Sequence, residues 1–248
     1  MESLLKTIIK PSWPAPCNVR SYTTTRSGGD SKEPYDSLNL GLHVGDDEQL
    51  VLANRQRLQA MLGYKSIAWL EQIHSTIVTK ADADQVLKAD ASWTDQSGLA
   101  CVVMTADCLP VLFCDMSGQY VAAAHAGWRG LVNGILEETI KQLPVEPNQL
   151  MVWLGPAIGP KKFEVGMEVK QAFLNKDSEA ELAFSPGSTH NKYLADIYQL
   201  ARLRLKKAGV TAVYGEDFCT VSDEALFFSY RRQAVTGRMA SLIWLLPQ

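Results

Sequence analysis

Four stretches constrain this chain more than any others. Residues 99–105, 111–114, 120–126 and 151–154 are apolar or β-branched at nearly every position, and polar turns separate them. A strand that faces water on one side alternates; strands that do not alternate must be covered on both faces. A fold built on them therefore needs further layers on either side, and 248 residues are enough to supply them. Residues 67–70 and 76–79 are read in the same way, as short strands covered on both faces, and further strands are expected at 210–214, 226–230 and 239–246. Helical spacing over 47–62, 130–143, 165–174 and 193–208 predicts the covering elements. The first helix runs from an acidic start to Gly63, the second stops before Pro144, and the last has a basic final turn and then Gly209. The first 45 residues are rich in Gly and Asx turns and are expected to form long loops. Strands and helices interleave without strict βαβ alternation, and no repeat or low-complexity linker divides them. A layered α+β architecture with a single domain over 1–248 follows.

Charge and composition exclude several function classes. Lys and Arg number 24 against 27 Asp and Glu, the net charge is -3, and no basic run exceeds a pair, which argues against a nucleic-acid partner. The N-terminus has Glu2 and a lysine inside its apolar run, unlike a secretory leader. No apolar run approaches the roughly 18 residues of a membrane span, so a soluble, cytoplasmic protein without a membrane partner is expected. Five cysteines without a C-x-x-C pair suggest neither a disulfide framework nor a zinc ribbon.

The chemistry concentrates where apolar strands end. Thr105-Ala106-Asp107-Cys108-Leu109-Pro110 and His125-Ala126-Gly127-Trp128-Arg129-Gly130 each put a reactive side chain at such a point. Two adjacent strands would bring Cys108 and His125 together at one sheet end, and His74, between the strands at 67–70 and 76–79, can reach the same edge. One thiol and two imidazoles suit Zn²⁺ and leave a fourth position open, as in catalytic sites. The same residues also fit a Cys108 nucleophile activated by His125 or His74, or a buried thiol beside hydrogen-bonded loop histidines. Asp107 is a candidate proton carrier or orienter of a histidine. Arg129 and the N–H groups after Gly127 form a candidate anion site at a helix start. Arg26 beside Gly28-Gly29 is a second anion candidate, His43 a candidate base, and Arg231 a further candidate substrate contact.

These motifs together resemble one family. Thr24-Thr25-Arg26-Ser27-Gly28-Gly29, Ser37-Leu38-Asn39-Leu40-Gly41-Leu42-His43-Val44-Gly45-Asp46, Gln72-Ile73-His74-Ser75 and the two motifs above lead on to Trp153-Leu154-Gly155-Pro156-Ala157-Ile158-Gly159-Pro160. Phe163-Glu164-Val165-Gly166, Phe228-Ser229-Tyr230-Arg231-Arg232 and Thr236-Gly237-Arg238-Met239-Ala240 complete the set. The sequence closely resembles the laccase-domain family, also described as multicopper polyphenol oxidoreductase-like or peptidoglycan editing factor proteins. The resemblance implies a four-layer α/β/β/α sandwich with mixed sheets and a zinc held by His74, Cys108 and His125. It implies phosphate-dependent cleavage of purine nucleosides (adenosine, inosine, guanosine, methylthioadenosine), with adenosine deamination as a second activity. A hydrolase that edits peptidoglycan precursors is the alternative it carries. Small-molecule nucleosides and phosphate are then the partners, and a monomer or weak homodimer is expected. A four-copper oxidase is excluded, because its blue-copper site and trinuclear cluster need more imidazoles than the four histidines present. One copper in place of zinc, and with it a copper-dependent polyphenol oxidase, stays open. The His-x-Glu and Pro-Cys-x-x-Cys pattern of base deaminases is absent.

Overall fold

The computed structural model describes residues 8–63 and 66–247. Residues 1–7, which carry most of the leader argument, lie outside them. In chain order the strands are β1 (Ile8–Ile9), β2 (Val19–Thr24), β3 (Ser66–Ala68), β4 (Leu70–Glu71), β5 (Val78–Lys80), β6 (Leu87–Lys88), β7 (Ala91–Thr94) and β8 (Leu99–Thr105). They continue with β9 (Leu109–Asp115), β10 (Val121–Ala126), β11 (Leu150–Leu154), β12 (Glu164–Gly166), β13 (Phe184–Pro186), β14 (Lys192–Ala195), β15 (Ala212–Gly215) and β16 (Met239–Leu245). The helices are α1 (Glu48–Met61), α2 (Trp128–Asn133), α3 (Ile135–Gln142), α4 (Met167–Leu174) and α5 (Ile197–Lys207).

Two mixed sheets lie face to face. One is ordered β1-β2-β16-β8-β3 and the other β15-β11-β9-β10-β7-β5. Side-chain parity shows how they are covered. Leu99, Cys101 and Val103 of β8 pack with Ile243 and Leu245 of β16 and with Leu112, Cys114, Val121, Ala123 and Trp153 of the second sheet. The alternate residues Ala100, Val102, Ala240, Leu242 and Trp244 pack outward against Leu58 and Leu62 at the end of α1. On the other side Val111, Phe113, Ala122, Ala124 and Val152 meet Leu131, Ile135, Phe173, Leu200 and Leu205 of the remaining helices. The result is the expected α/β/β/α sandwich, and it explains why β8, β9, β10, β11 and β16 are buried along their whole lengths. No helix among the described residues is long and apolar enough to cross a membrane.

Several expectations need correction. The strands expected at 67–70 and 76–79 are not covered on both faces: the first splits into β3 and β4 with Ser66 and Glu71 exposed, and β5, at a sheet edge, is only half-buried with Lys80 exposed. The loop expected over 1–45 contains β2, a central strand of its sheet, whose Thr23 hydroxyl meets that of Ser241 at 2.8 Å across the ladder. The helix expected over 130–143 is two helices, because Gly134 adopts φ 105 and breaks the ladder. The helix expected over 193–208 starts at Ile197, where Asp196 caps the N–H groups of Tyr198 and Gln199, and residues 192–195 form β14 instead. Likewise 164–166 form β12 ahead of α4. Residues 226–230 are not a strand: Leu226 accepts a backbone bond from Arg26, Phe227 one from the Arg232 side chain, and Phe228 donates to the Met239 sulfur. Replacing Gly134 with Ala puts an L-residue at a left-handed φ. A loss of about 1–2 kcal/mol in denaturant unfolding is expected; an unchanged midpoint would show that the break tolerates a side chain.

Candidate metal centre and cavity

The antiparallel pairing of β9 and β10 ends with His125 opposite Pro110 and Ala126 opposite Leu109. Continued by one step, that register sets Cys108 against Gly127. His125 shares the parity of Val121 and Ala123, so it lies on the side that faces the other sheet, and it is 3% exposed. His74 comes from the turn between β4 and β5, where it holds φ 58. The ligand atoms of His74, Cys108 and His125 all lie within 4.8 Å of one another, and the two imidazole rings meet edge to face. Gly127 keeps this space open: a Cβ there would come within 3.1 Å of both the Cys108 sulfur and the His74 ring.

Asp90, which sequence reasoning missed, orders the group. It is fully buried at the head of β7. Its carboxylate accepts the N–H groups of His74 at 3.0 Å and Ser75 at 2.6 Å and the Ser75 hydroxyl at 2.7 Å, and it meets His125 Nδ1 at 2.8 Å. With Nδ1 occupied in this way, Nε2 is the nitrogen left for the cluster. The only local sign in the sequence is an acid between two alanines, Ala89-Asp90-Ala91. Gln72 adds a second brace, exchanging two hydrogen bonds with the Met104 backbone.

The expected orienting role of Asp107 is not what the structure shows. Its carboxylate accepts from the Thr220 hydroxyl and the Arg231 N–H, each at 2.6 Å, so it ties the Cys108 turn to the C-terminal segment. Electrostatics within the cluster are coupled. Burial alone would raise the Cys108 thiol, but the charge of His125 and hydrogen bonds from both histidines outweigh it and lower the thiol. Burial would lower His125, yet the Cys108 thiolate and Asp90 raise it. Burial also pushes Asp90 up, and its bonds to His125 and Ser75 overcome this and hold it below the usual carboxylate range. The thiolate is the form that both ligates metal and attacks electrophiles. A thiolate and two imidazoles in reach of one point fit a zinc ion with one position left for substrate.

The three residues open onto a cavity of about 400 Å³. Its wall also carries Trp128, Phe163, Tyr230, His43 and three arginines, Arg129, Arg231 and Arg238. Arg129 lies over the Trp128 ring at 4.5 Å. Arg231 lies over Phe163 at 5.7 Å, with Nη1 bonded to the Glu164 carbonyl at 3.0 Å. Arg238, part of the Thr236-Gly237-Arg238 motif, was not singled out from the sequence. Arg26 belongs elsewhere: it pairs with Asp36, donates to the Glu224 carbonyl and stacks on Phe228, so the expected anion clamp at that position is not part of this cavity.

Two substitutions probe the centre. Cys108→Ala removes one of three donors and should abolish tight zinc binding in a chelator competition while leaving the unfolding transition cooperative; retained zinc would refute the ligand set. Asp90→Asn puts an amide among groups that all donate. It should cost about 3 kcal/mol in unfolding and weaken zinc about 10- to 100-fold, and a variant with parental zinc affinity would remove Asp90 from the support of the site.

The comparisons with known proteins agree with this architecture. The family model described as multi-copper polyphenol oxidoreductase laccase matches residues 20–246. The chain is 57% identical over 237 residues to a purine nucleoside phosphorylase of Pseudomonas aeruginosa, covering 96% of this chain and 98% of that one. It is 52% identical over 242 residues to the purine nucleoside phosphorylase YfiH of Escherichia coli, covering 96% and 99%. A crystal structure of a Neisseria meningitidis protein, 53% identical, superposes with a TM-score of 0.95 over 97% of this chain and all of that one. With nearly the whole sandwich and all three candidate donors inside the matched region, the protein belongs to the laccase-domain family of multi-copper polyphenol oxidoreductase-like proteins.

Proposed function

We propose that this chain is a zinc-dependent purine nucleoside phosphorylase that cleaves adenosine, inosine, guanosine and methylthioadenosine with inorganic phosphate and deaminates adenosine as a side activity. The observation that carries the reading is the cavity itself, which joins a His/Cys/His donor set to aromatic rings and arginines. Relatives at more than half identity along nearly the full chain bear the name purine nucleoside phosphorylase.

In phosphorolysis a phosphate oxygen attacks the anomeric carbon, the glycosidic C–N bond breaks, and the base leaves with the electron pair and takes up a proton. Trp128, Phe163 and Tyr230 offer planar surfaces for a purine. Arg129 and Arg231 add positive charge beside two of those rings. Zinc on His74, Cys108 and His125 would supply Lewis acidity toward a substrate oxygen. Asp90 keeps His125 in one tautomer and orientation. Burial, Arg238 and Arg55 lower His43, so at neutral pH it is an uncharged imidazole on the cavity wall, able to accept a proton.

The paired Cys108 and His125 also favour a second reading, a cysteine hydrolase acting on peptidoglycan precursors. The two separate cleanly. Protein of known zinc content is incubated with adenosine or inosine, with and without phosphate. Equimolar free base and pentose 1-phosphate, formed only with phosphate and lost on chelation, is the expected result. Activity that survives chelation and dies with thiol alkylation would replace the phosphorylase by the hydrolase.

A further inference from the structure

The cavity wall carries three guanidinium groups, and Arg238 feels the negative charge of Cys108 and Asp107 with no hydrogen bond or ion pair to either among the described residues. Of the residues lining it, three are arginines and only Asp107 is a carboxylate. Asp107 is already engaged by Thr220 and the Arg231 backbone. None of Arg129, Arg231 and Arg238 forms an ion pair among the described residues, whereas Arg26, Arg57, Arg202, Arg204 and Arg232 each pair with an acid. Arg129 and Arg231 are exposed, but Arg238 is half-buried; drawing a guanidinium out of water without an ion pair is costly, so its charge points to an anionic ligand.

Arg238 differs from the other two because the fold builds a holder for it. Its Nη1 donates to the carbonyls of Thr236 and Gly237, each at 3.0 Å, and no acceptor for Nε or Nη2 is found among the described residues. Its stem packs on Gly41, where a Cβ would come within 2.8 Å of the Arg238 Cγ. Asn39, fully buried, joins the two segments: its Oδ1 accepts the N–H of Gly41 and the N–H of Arg238, both at 2.9 Å, and its Nδ2 reaches Asp46. The loop held in this way carries His43 to the same cavity wall. Thr105 also lines that cavity, directly opposite Met239 in the ladder, and its buried hydroxyl has no hydrogen-bond partner among the described residues.

We propose that Arg238, flanked by His43, is the seat of the oxyanion co-substrate, with Asn39 as the positioning residue that holds both. The free Nε/Nη2 edge is the fork that binds two oxygens of a tetrahedral anion. Identifying that anion as inorganic phosphate rests on the phosphorylase reading; the seat itself rests on the geometry of this loop and arginine.

The test is direct binding of inorganic phosphate to zinc-loaded protein, without nucleoside, by calorimetry. The parent is compared with Arg238→Met, Arg238→Lys, His43→Ala, Arg129→Met and Arg26→Gln. Removing a charge-assisted fork should weaken phosphate about tenfold or more in Arg238→Met. The lysine variant should recover only part of it, His43→Ala should weaken it less than Arg238→Met, and Arg26→Gln should match the parent. In steady state Arg238→Lys should raise the phosphate KM with the nucleoside KM unchanged. Parental phosphate affinity in folded Arg238→Lys and Arg238→Met, loss in Arg129→Met alone, or no phosphate binding by the parent would each overturn the seat. Phosphate binding that depends on Arg238 in a protein that releases no base would support the seat and remove the phosphorylase reading. Phosphate-dependent base release indifferent to Arg238 would do the reverse.

Discussion

The buried carboxylate of Asp90 fixes two of the three side chains of the candidate metal centre at once. Through its oxygens it holds consecutive N–H groups of the turn that carries His74, and it also takes the Nδ1 position of His125. A turn at left-handed φ would not by itself keep an exposed imidazole within reach of the thiol at the β8–β9 turn. Asp90 can do so because its backbone is tied directly to the sheet. It precedes β7, whose ladder with β10 pairs Ala91 with Ala124, and its own carbonyl accepts the His125 N–H at 2.7 Å. Donor positions are thereby set by the sheet, the stiffest part of the molecule, through one side chain.

The sandwich also explains why reactive groups collect at this end. Along β8, β9 and β10 the inward positions are apolar where the sheets lie against each other. At the end of β10 the inward position is His125, and just before β9 begins it is Cys108. Polar side chains at inward parity are tolerated there only because the cavity and Asp90 give them partners. Arg238 precedes β16 at the same end.

The sequence was most readable where burial on both faces left a local mark. Strands β8, β10 and β11 and the meeting of Cys108 with His125 follow from unbroken apolar runs and their spacing. β2 escaped because Arg20, Ser21, Thr23 and Thr24 make it read as a polar segment, although its pairing with β16 places it in the middle of a sheet. Residues 193–195 have the apolar spacing of a helix, but Asp196 caps there and leaves them to pair with β12 and β13. Asp90 was invisible because its partners lie 15 to 35 residues away. Arg26 and Arg238 could not be ranked from sequence, since what separates them is an ion-pair partner: Asp36 pairs with one, and no acid among the described residues pairs with the other.

The donor inventory bears on the copper in the family's description. Of four histidines, His43, His74 and His125 reach the cavity, and His190 sits exposed between β13 and β14. Cys108 is the only cysteine that joins them; Cys101 and Cys114 are buried, with thiols that burial raises. Such a set supports one mononuclear centre and no electron-relay cluster. The remaining wall is arginine and aromatic, which suits an anion beside a planar group and does nothing to tune a redox potential. A half-buried Arg238 without an ion pair among the described residues and a partly buried thiolate each cost folding free energy. Both lie at the one end of an otherwise apolar sandwich where the candidate site opens, so that cost falls where a ligand rather than packing would offset it.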